Sequence, residues 1–443
     1  VKIRNVRGFG EVDLDFSRSD GSLAGWTVLA GRNGSGKSTL LRAIALAVAG
    51  PDISKTFYES FADWIRVGQQ EAEVRIHLEP SRDDGFEGFD IDPAFLNGWA
   101  HLHWKSAGKG HEPALASSLS EKLNLLQENV MEGPWSSNST GGWFLCGYGP
   151  YRRLSGHAAD AQRLMEGPGR IARLVTLFRE DSSLVECVSW LREVYLRSLE
   201  KRPGAAELLK SVLALLNDGL LPVGTNVENV DSEGLWVLQQ AVRLPLSQLS
   251  DGYRTTAALV MDIVRHLYRC FGKLHIETAS DADGPYYQVL HEGVVLIDEV
   301  DLHLHVSWQQ RIGFWLKRHF PNIQFIVTTH SPFICQAADP RGLIRLPAPG
   351  EDRPAEHVSE ELYNTVVNGS LDDAVLTELF GLETPYSEPA ERLREEIARL
   401  EVKLQTGKAT DKDRREFQDL RSRLPQNLSM DVAQALQKLA AKR

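Results

Sequence analysis

The residues with the clearest chemical meaning lie in the run Gly31-Arg32-Asn33-Gly34-Ser35-Gly36-Lys37-Ser38-Thr39. This spacing, GxxxxGK[ST], folds consecutive backbone N–H groups around a phosphate at a helix N-terminus. Gly34 and Gly36 allow the backbone to approach closely. Lys37 is the group that reaches β- and γ-phosphates, and the Ser38 hydroxyl is a Mg²⁺ ligand. The loop as a whole, with Asn33, Gly34, Ser35, Gly36, Lys37, Ser38 and Thr39, is therefore a nucleotide site expected to hold ATP and Mg²⁺. The plain alternative is a glycine-rich turn that binds nothing. Its position between an apolar strand (Trp26 to Ala30) and an apolar helix (Leu40 to Ala49) argues against that.

A second group lies far along the chain. Val294-Val295-Leu296-Ile297 is followed by Asp298-Glu299, which sets two carboxylates at the C-terminal end of a core strand. Ligands bind at that end in open α/β sheets. Asp298 is expected to hold Mg²⁺, directly or through water, and Glu299 to polarise an attacking water. His330 ends the next strand, Phe325 to Thr329, where a sensor of the γ-phosphate would stand. Leu249-Ser250-Asp251-Gly252-Tyr253-Arg254 precedes a helix and lies before the acidic strand. Such a loop offers Ser250 and the Gly252 N–H to a phosphate at the N-terminus of the following helix. The bland reading is an ordinary N-cap by Ser250 or Asp251.

Other polar residues leave alternatives open. Gln69 or Gln70 is a candidate glutamine for contact with Mg²⁺ and water, and so is a residue near Tyr148 to Arg153. His303 and His305 alternate with Leu302 and Leu304. They are read as part of a dimer interface rather than as metal ligands, because no third ligand is evident.

The elements that must carry these groups are legible in outline. Val1 to Phe16 reads as a strand pair turned at Gly8-Phe9-Gly10, and Glu73 to Leu78 as another strand. Residues 80 to 140 have no clear period. Gly142 to Cys146 is a short apolar strand, 168 to 216 is mainly helical, and Val227 to Val242 forms a hairpin around Asp231 to Gly234. Thr255 to Tyr268 is a helix. Gly293 to Ile297 and Gln324 to Thr328 are buried parallel strands flanking a helix from Val306 to His319, the pattern of a doubly wound sheet. At the end, Leu393, Ile397, Leu400 and Leu404 fall at helical spacing, as do Phe417, Leu420 and Leu424. Thr410 with Asp413 marks the start of the second helix, and a third short helix is expected near Val432, Leu436 and Leu439.

The 443 residues suffice for two or three domains, and the net charge of −11 supplies no general attraction to DNA or to an anionic membrane. No apolar run approaches the ~20 residues that cross a bilayer. The four cysteines are scattered, without metal-site spacing, so a reducing cytoplasm is the expected compartment.

The motifs just quoted, with VVLIDEVDLHLHVSWQQ over Val294 to Gln310 and FPNIQFIVTTHSP over Phe320 to Pro332, resemble the stand-alone ABC-class AAA ATPases related to the OLD, RecF and SMC proteins. The resemblance is nearest to ATPases of bacterial anti-phage systems of the Septu and retron kind. It covers residues 1 to 80 and 240 to 340 well. YGPYRR, at Tyr148 to Arg153, and the tail from Leu371 look like further elements of that group. The resemblance implies an ABC-type P-loop head, in which a mixed sheet and a doubly wound parallel sheet are joined to a helical subdomain and a C-terminal helical hairpin. It implies an oligomer, at least a homodimer, with two ATPs between Lys37 of one copy and Ser250 of the other. Slow hydrolysis would act as a switch on a separate effector, often an HNH nuclease. Val306 departs from the pattern, which commonly has Pro after Leu-His. The chain shows neither a Toprim-like acidic cluster nor long heptad arms.

Four divisions follow: 1–80 as the first part of the head, 81–240 as an insertion and helical subdomain, 241–348 as the second part, and 349–443 as a helical tail. The tail is a candidate docking surface, or equally a hairpin packed on its own dimer. The competing functions are a RecF- or SMC-like ATPase that clamps DNA, a transporter subunit, and a protein that keeps ATP as a structural ligand. Intact Glu299 weighs against the last.

Overall fold

The computed structural model describes residues 1–58, 60–79, 98–106, 113–118, 144–152, 154, 159–167, 169–282 and 284–424. The chain divides into two units, Val1–Phe380 and Gly381–Arg443.

In the first unit the central element is a six-stranded sheet. In chain order its strands are β3 (Gly25–Ala30), β7 (Leu145–Tyr148), β13 (Gly293–Ile297), β14 (Ile323–Thr328), β15 (Leu343–Arg345) and β16 (Glu356–His357). Their spatial order is β16-β15-β3-β14-β13-β7, parallel throughout except for the β15–β16 pair. The strands are apolar on both faces because both are covered. Trp26, Val28, Val295, Ile297, Phe325 and Val327 enter one core, and Leu29, Leu296, Ile326 and Ile344 enter another. The second core also holds the P-loop helix, Lys37–Ala49. That helix contacts a five-stranded antiparallel sheet too, built from β1 (Lys2–Arg4), β2 (Glu11–Asp13), β4 (Glu71–Leu78), β5 (Gly98–Lys105) and β6 (Ala114–Ser118). The strand pair expected in the first sixteen residues is β1 with β2, in the register Ile3↔Val12.

The first core is filled by helices that include Val185–Leu199, Ala205–Asn217 and Asp251–Phe271. Every residue from Thr255 to Leu267 is buried, so this last helix is enclosed all round rather than amphipathic. Two small antiparallel sheets complete the unit. One joins β8 (Thr225–Val230), β9 (Leu235–Gln239) and β10 (Val242–Pro245); the other pairs β11 (Ile276–Asp281) with β12 (Gly284–Val289).

Three sequence expectations change. The helix expected over 306–319 is two helices, Val306–Gln309 and Ile312–His319. The segment 81–240 is no simple insertion, because its β7 forms the edge of the central sheet beside β13. Residues 349–380 belong to the first unit rather than to the tail: β16 pairs with β15, and Val366, Ala374 and Leu379 lie in the first core. The apolar faces of the short helices Glu360–Asn368 and Leu371–Val375 need a partner, and that core supplies it.

The second unit, as described, is a helical hairpin of Glu388–Gln405 and Asp411–Ser422. Thr410 and Asp413 form a reciprocal capping box at the start of its second helix. The helix expected near Val432 lies outside the described residues.

Candidate functional site

The loop after β3 turns through Gly31, Gly34 and Gly36, with φ of 159°, 79° and 87°. At Gly36 a side chain is excluded twice: by the left-handed backbone and by the Phe9 ring, 2.5 Å from where a Cβ would stand. Gly36 is the N-cap of the helix that begins at Lys37. Lys37 is buried, and its ammonium donates to the carbonyls of Gly31 at 2.8 Å and Arg32 at 3.2 Å. Burial pushes its pKa down, while Asp298, Glu299 and Asp301 push it back up. The Ser35 hydroxyl is buried and has no hydrogen-bond partner. Asn33 is exposed at the loop's crest, and Thr39 is half-buried.

The register β13↔β14↔β3 brings the acidic strand end to this loop. Ser38 Oγ donates to Asp298 Oδ1 at 3.0 Å, and Thr328 Oγ1 donates to the same oxygen at 2.6 Å. Asp298 is almost fully buried. Thr328 Oγ1 in turn accepts from the Glu299 N–H at 2.7 Å. Glu299 has φ 47°, an uncommon left-handed conformation for a non-glycine residue. Arg152, after β7, fixes the other side of this turn. Its Nη1 donates to Gly149 O and Asp298 O, both at 2.7 Å, and its Nη2 donates to Glu299 O at 2.9 Å and Val300 O at 3.4 Å. Burial draws the Arg152 pKa down to about 10, so it stays charged at neutral pH.

His330 is exposed at the end of β14. Partial burial, and then the positive charge of Lys37, lower its pKa, while Asp301, Glu299 and Asp298 raise it. The imidazole is thus held toward the neutral form that can both donate and accept. Beside it, Thr329 Oγ1 donates to Asp301 Oδ1 at 2.5 Å, and Ser331 Oγ donates to Gln309 Oε1 at 2.6 Å.

The sequence-derived residues Lys37, Ser38, Asp298, Glu299 and His330 therefore converge. Ser38 Oγ and Asp298 Oδ1 are adjacent hard oxygen atoms of the kind that suits Mg²⁺. Ser250 and Gly252 lie at the start of the helix Asp251–Phe271 and make none of these bonds. Ser250 is exposed and sits at the N-cap position of Asp251–Phe271, but its side chain makes no cap hydrogen bond. Gly252 rests on the segment after the acidic turn: a Cβ there would lie 2.8 Å from His303 O and 3.6 Å from His305 N. His305 caps the short helix that begins at Val306. Val306 thus takes the first helical position, where proline is favoured but dispensable. Gln69 and Gln70 are exposed at the start of β4, in the antiparallel sheet. Among the described residues no cluster of three or more His, Cys, Asp or Glu could hold a metal. Arg153 lies outside the described residues.

Sequence reasoning missed Arg152 as an individual residue, and it missed Thr328 and the Thr329–Asp301 and Ser331–Gln309 bonds. The signal available for them was the Thr-Thr pair before His330 and the arginines of YGPYRR.

A family model described as "AAA domain" matches residues 1–109, and one described as "AAA domain, putative AbiEii toxin, Type IV TA system" matches 189–336. "Retron Ec83 probable ATPase" of Escherichia coli is 46% identical over 102 residues, covering 23% of this chain and 17% of that protein. "Septu protein PtuA" of Bacillus mycoides is 28% identical over 341 residues, covering 75% of this chain and 38% of that protein. The chain thus spans less than two-fifths of the length of these curated relatives. Among solved structures, an SMC head bound to the C-terminal winged-helix domain of ScpA aligns over 81% of this chain and 97% of that one, with 17% identity and a TM-score of 0.48. The phosphate-loop motif, the acidic strand end and the parallel sheet thus form one constellation in a chain that matches AAA-domain models in two segments and is similar to proteins named Septu protein PtuA and retron probable ATPase.

Proposed function

We propose that this chain binds and hydrolyses ATP, dimerises head to head around two nucleotides, and uses that cycle to gate a separate effector, a nuclease of the HNH type, in anti-phage defence. The observation that carries the reading is the Ser38–Asp298–Thr328 joint, which sets a buried carboxylate against the phosphate loop and presents Glu299 beside it.

In this reading Lys37 exchanges the Gly31 and Arg32 carbonyls for β- and γ-phosphate oxygens. The N–H groups of Asn33 to Thr39 cradle the phosphates at the helix N-terminus. Ser38 and Asp298 would hold Mg²⁺, which would supply positive charge against the phosphates. Glu299 orients the attacking water and takes its proton. His330 contacts the γ-phosphate side and distinguishes ATP from ADP. Ser250 and the Gly252 N–H meet the γ-phosphate bound to the other copy, with His303 and His305 at the same interface. The exposed, uncapped Ser250 hydroxyl supports that role. The names of the similar proteins support the defence assignment.

The test is a pull-down of tagged Glu299→Gln protein from its native cells in the presence of Mg-ATP, beside Lys37→Ala as control. The expected result is an ATP-dependent dimer that brings down a metal-dependent nuclease at near-stoichiometric yield. Recovery of DNA without a protein partner would replace this reading with a DNA clamp, and recovery of membrane permeases would replace it with a transporter subunit.

A further inference from the structure

We propose that Arg152 is the positioning residue for Glu299, and that the Tyr148–Asp262 hydrogen bond fastens its segment to the helix carrying the Ser250–Gly252 loop. The inference rests on the ATPase reading above.

β7 stops at Tyr148. Tyr148 pairs with Ile297, and its carbonyl accepts from the Asp298 N–H at 2.7 Å. At Gly149 the chain turns away to bond with Thr176, and a Cβ there would fall 2.3 Å from Thr176 O. The strand therefore leaves β13 at the residue where the carboxylates begin. The carbonyls of Asp298, Glu299 and Val300 face the Arg152 guanidinium instead. Arg152 replaces the missing strand as donor.

Glu299 needs that support. Its left-handed φ persists only where the surroundings over-determine it. Thr328 holds its N–H, while Arg152 Nη2 and the Leu302 N–H both donate to its carbonyl. Arg152 cannot serve as a phosphate ligand in this arrangement. It is 2% exposed, and both Nη groups are committed to carbonyls. Four carbonyls gathered around one planar fork specify a guanidinium rather than an ammonium.

The segment's other anchor lies in the opposite direction. Tyr148 OH donates to Asp262 Oδ2 at 3.0 Å, deep in the first core. Arg265 Nε donates to Asp262 Oδ1 at 2.9 Å, and His266 Nε2 lies 3.2 Å from Oδ2. All of these groups are buried. Asp262 belongs to the same enclosed helix that starts at the Ser250 N-cap. At about 1.5 Å per residue, it stands roughly 18 Å along a rigid rod from that loop. Tyr148 to Arg152 thus joins the loop that meets one nucleotide to the turn that acts on another. A shift of the helix on dimerisation would be passed to Glu299.

The experiment measures steady-state phosphate release and equilibrium ATP binding for the full chain and for Arg152→Lys, Tyr148→Phe, Glu299→Gln and Arg152→Lys/Glu299→Gln. Arg152→Lys is expected to lower kcat about 10- to 100-fold, the scale of a misplaced catalytic group, with ATP affinity kept within about threefold. Tyr148→Phe should lower kcat less, again with binding intact. The double variant should release phosphate no more slowly than Glu299→Gln, because Arg152 acts through Glu299. An Arg152→Lys protein with wild-type kcat overturns the proposal and leaves the ATPase reading standing. So does a double variant well below Glu299→Gln. If Arg152→Lys binds no ATP, Tyr148→Phe decides: a lowered kcat with intact binding upholds the strut, and an unchanged kcat overturns it. A wild-type protein that releases no more phosphate than Glu299→Gln overturns both readings together.

Discussion

Thr27 and Thr328 stand on adjacent strands of the central sheet, both with 0% exposure, yet their hydroxyls are in opposite situations. Thr328 Oγ1 donates to a buried carboxylate and accepts from the Glu299 N–H, whereas Thr27 Oγ1 has no hydrogen-bond partner. Replacing each by valine removes the hydroxyl and little else in shape. At Thr328 it leaves a part-buried N–H unpaired, about 1–3 kcal/mol, and deletes a bond to an ionised oxygen, about 1.5–3 kcal/mol. Asp298 keeps its bond from Ser38, which trims the sum. We expect a net loss of about 3 kcal/mol for Thr328→Val. For Thr27→Val we expect no loss, or a gain of up to about 1 kcal/mol, because a buried unpaired hydroxyl disappears. Urea unfolding followed by tryptophan fluorescence reads the first unit alone, since residues 381–443 contain no tryptophan. With an m-value of about 3 kcal/mol per M, the Thr328→Val midpoint should fall by about 1 M, measured without nucleotide. Equal shifts for the two variants would refute the assignment of Thr328 as the hinge between Asp298 and Glu299.

Two further predictions follow from buried groups and close approaches. Burial foremost holds the His266 pKa down at about 4, against an ordinary value near 6.5, with Asp262 pulling the other way. The unfolded chain therefore binds the extra proton between those values. The stabilisation is complete above pH 6.5 and is lost as pH falls toward 4, about 3 kcal/mol in all. His266→Gln should flatten that part of the pH dependence of the urea midpoint, and parallel curves for mutant and wild type would count against it. Gly252→Ala places a methyl 2.8 Å from the His303 carbonyl, so the loop or its support must shift. We expect a loss of about 1–3 kcal/mol in the same assay, together with loss of the ATP-dependent dimer in sedimentation; a variant that dimerises normally would remove the loop from the interface.

What could be read in the sequence was what local chemistry dictates. The strand, loop and helix around Lys37 are continuous in the chain, so their roles follow from one motif. Asp298 and Glu299 declare themselves by ending an apolar run, and Thr410 with Asp413 declares a helix start. Groups that act only through tertiary placement were not legible. Arg152 looks like any arginine in a polar loop until β7 lies beside β13. Asp262, Arg265 and His266 have the i, i+3, i+4 spacing of a solvated helix face, yet the fold encloses them. The break in the 306–319 helix is hidden in the sequence for a related reason. Its apolar positions run on across Gln310 and Arg311, while the backbone does not.

The strand order of the central sheet also sets a timetable for synthesis. β3, which launches the phosphate loop, is flanked by β14 and β15 and by nothing nearer in sequence. Its neighbours end at Thr328 and Arg345, some three hundred residues later. At about 5–20 residues per second, a ribosome takes about 15–60 s to deliver them. During that interval the strand carrying Trp26, Val28 and Leu29 has neither sheet partner, and Ser38 has no Asp298 to bond. The grouping of Lys37, Ser38 and Asp298 therefore comes into being as one of the last acts of making the first unit. A chain cut short before β14 would carry an intact phosphate-loop motif and no site.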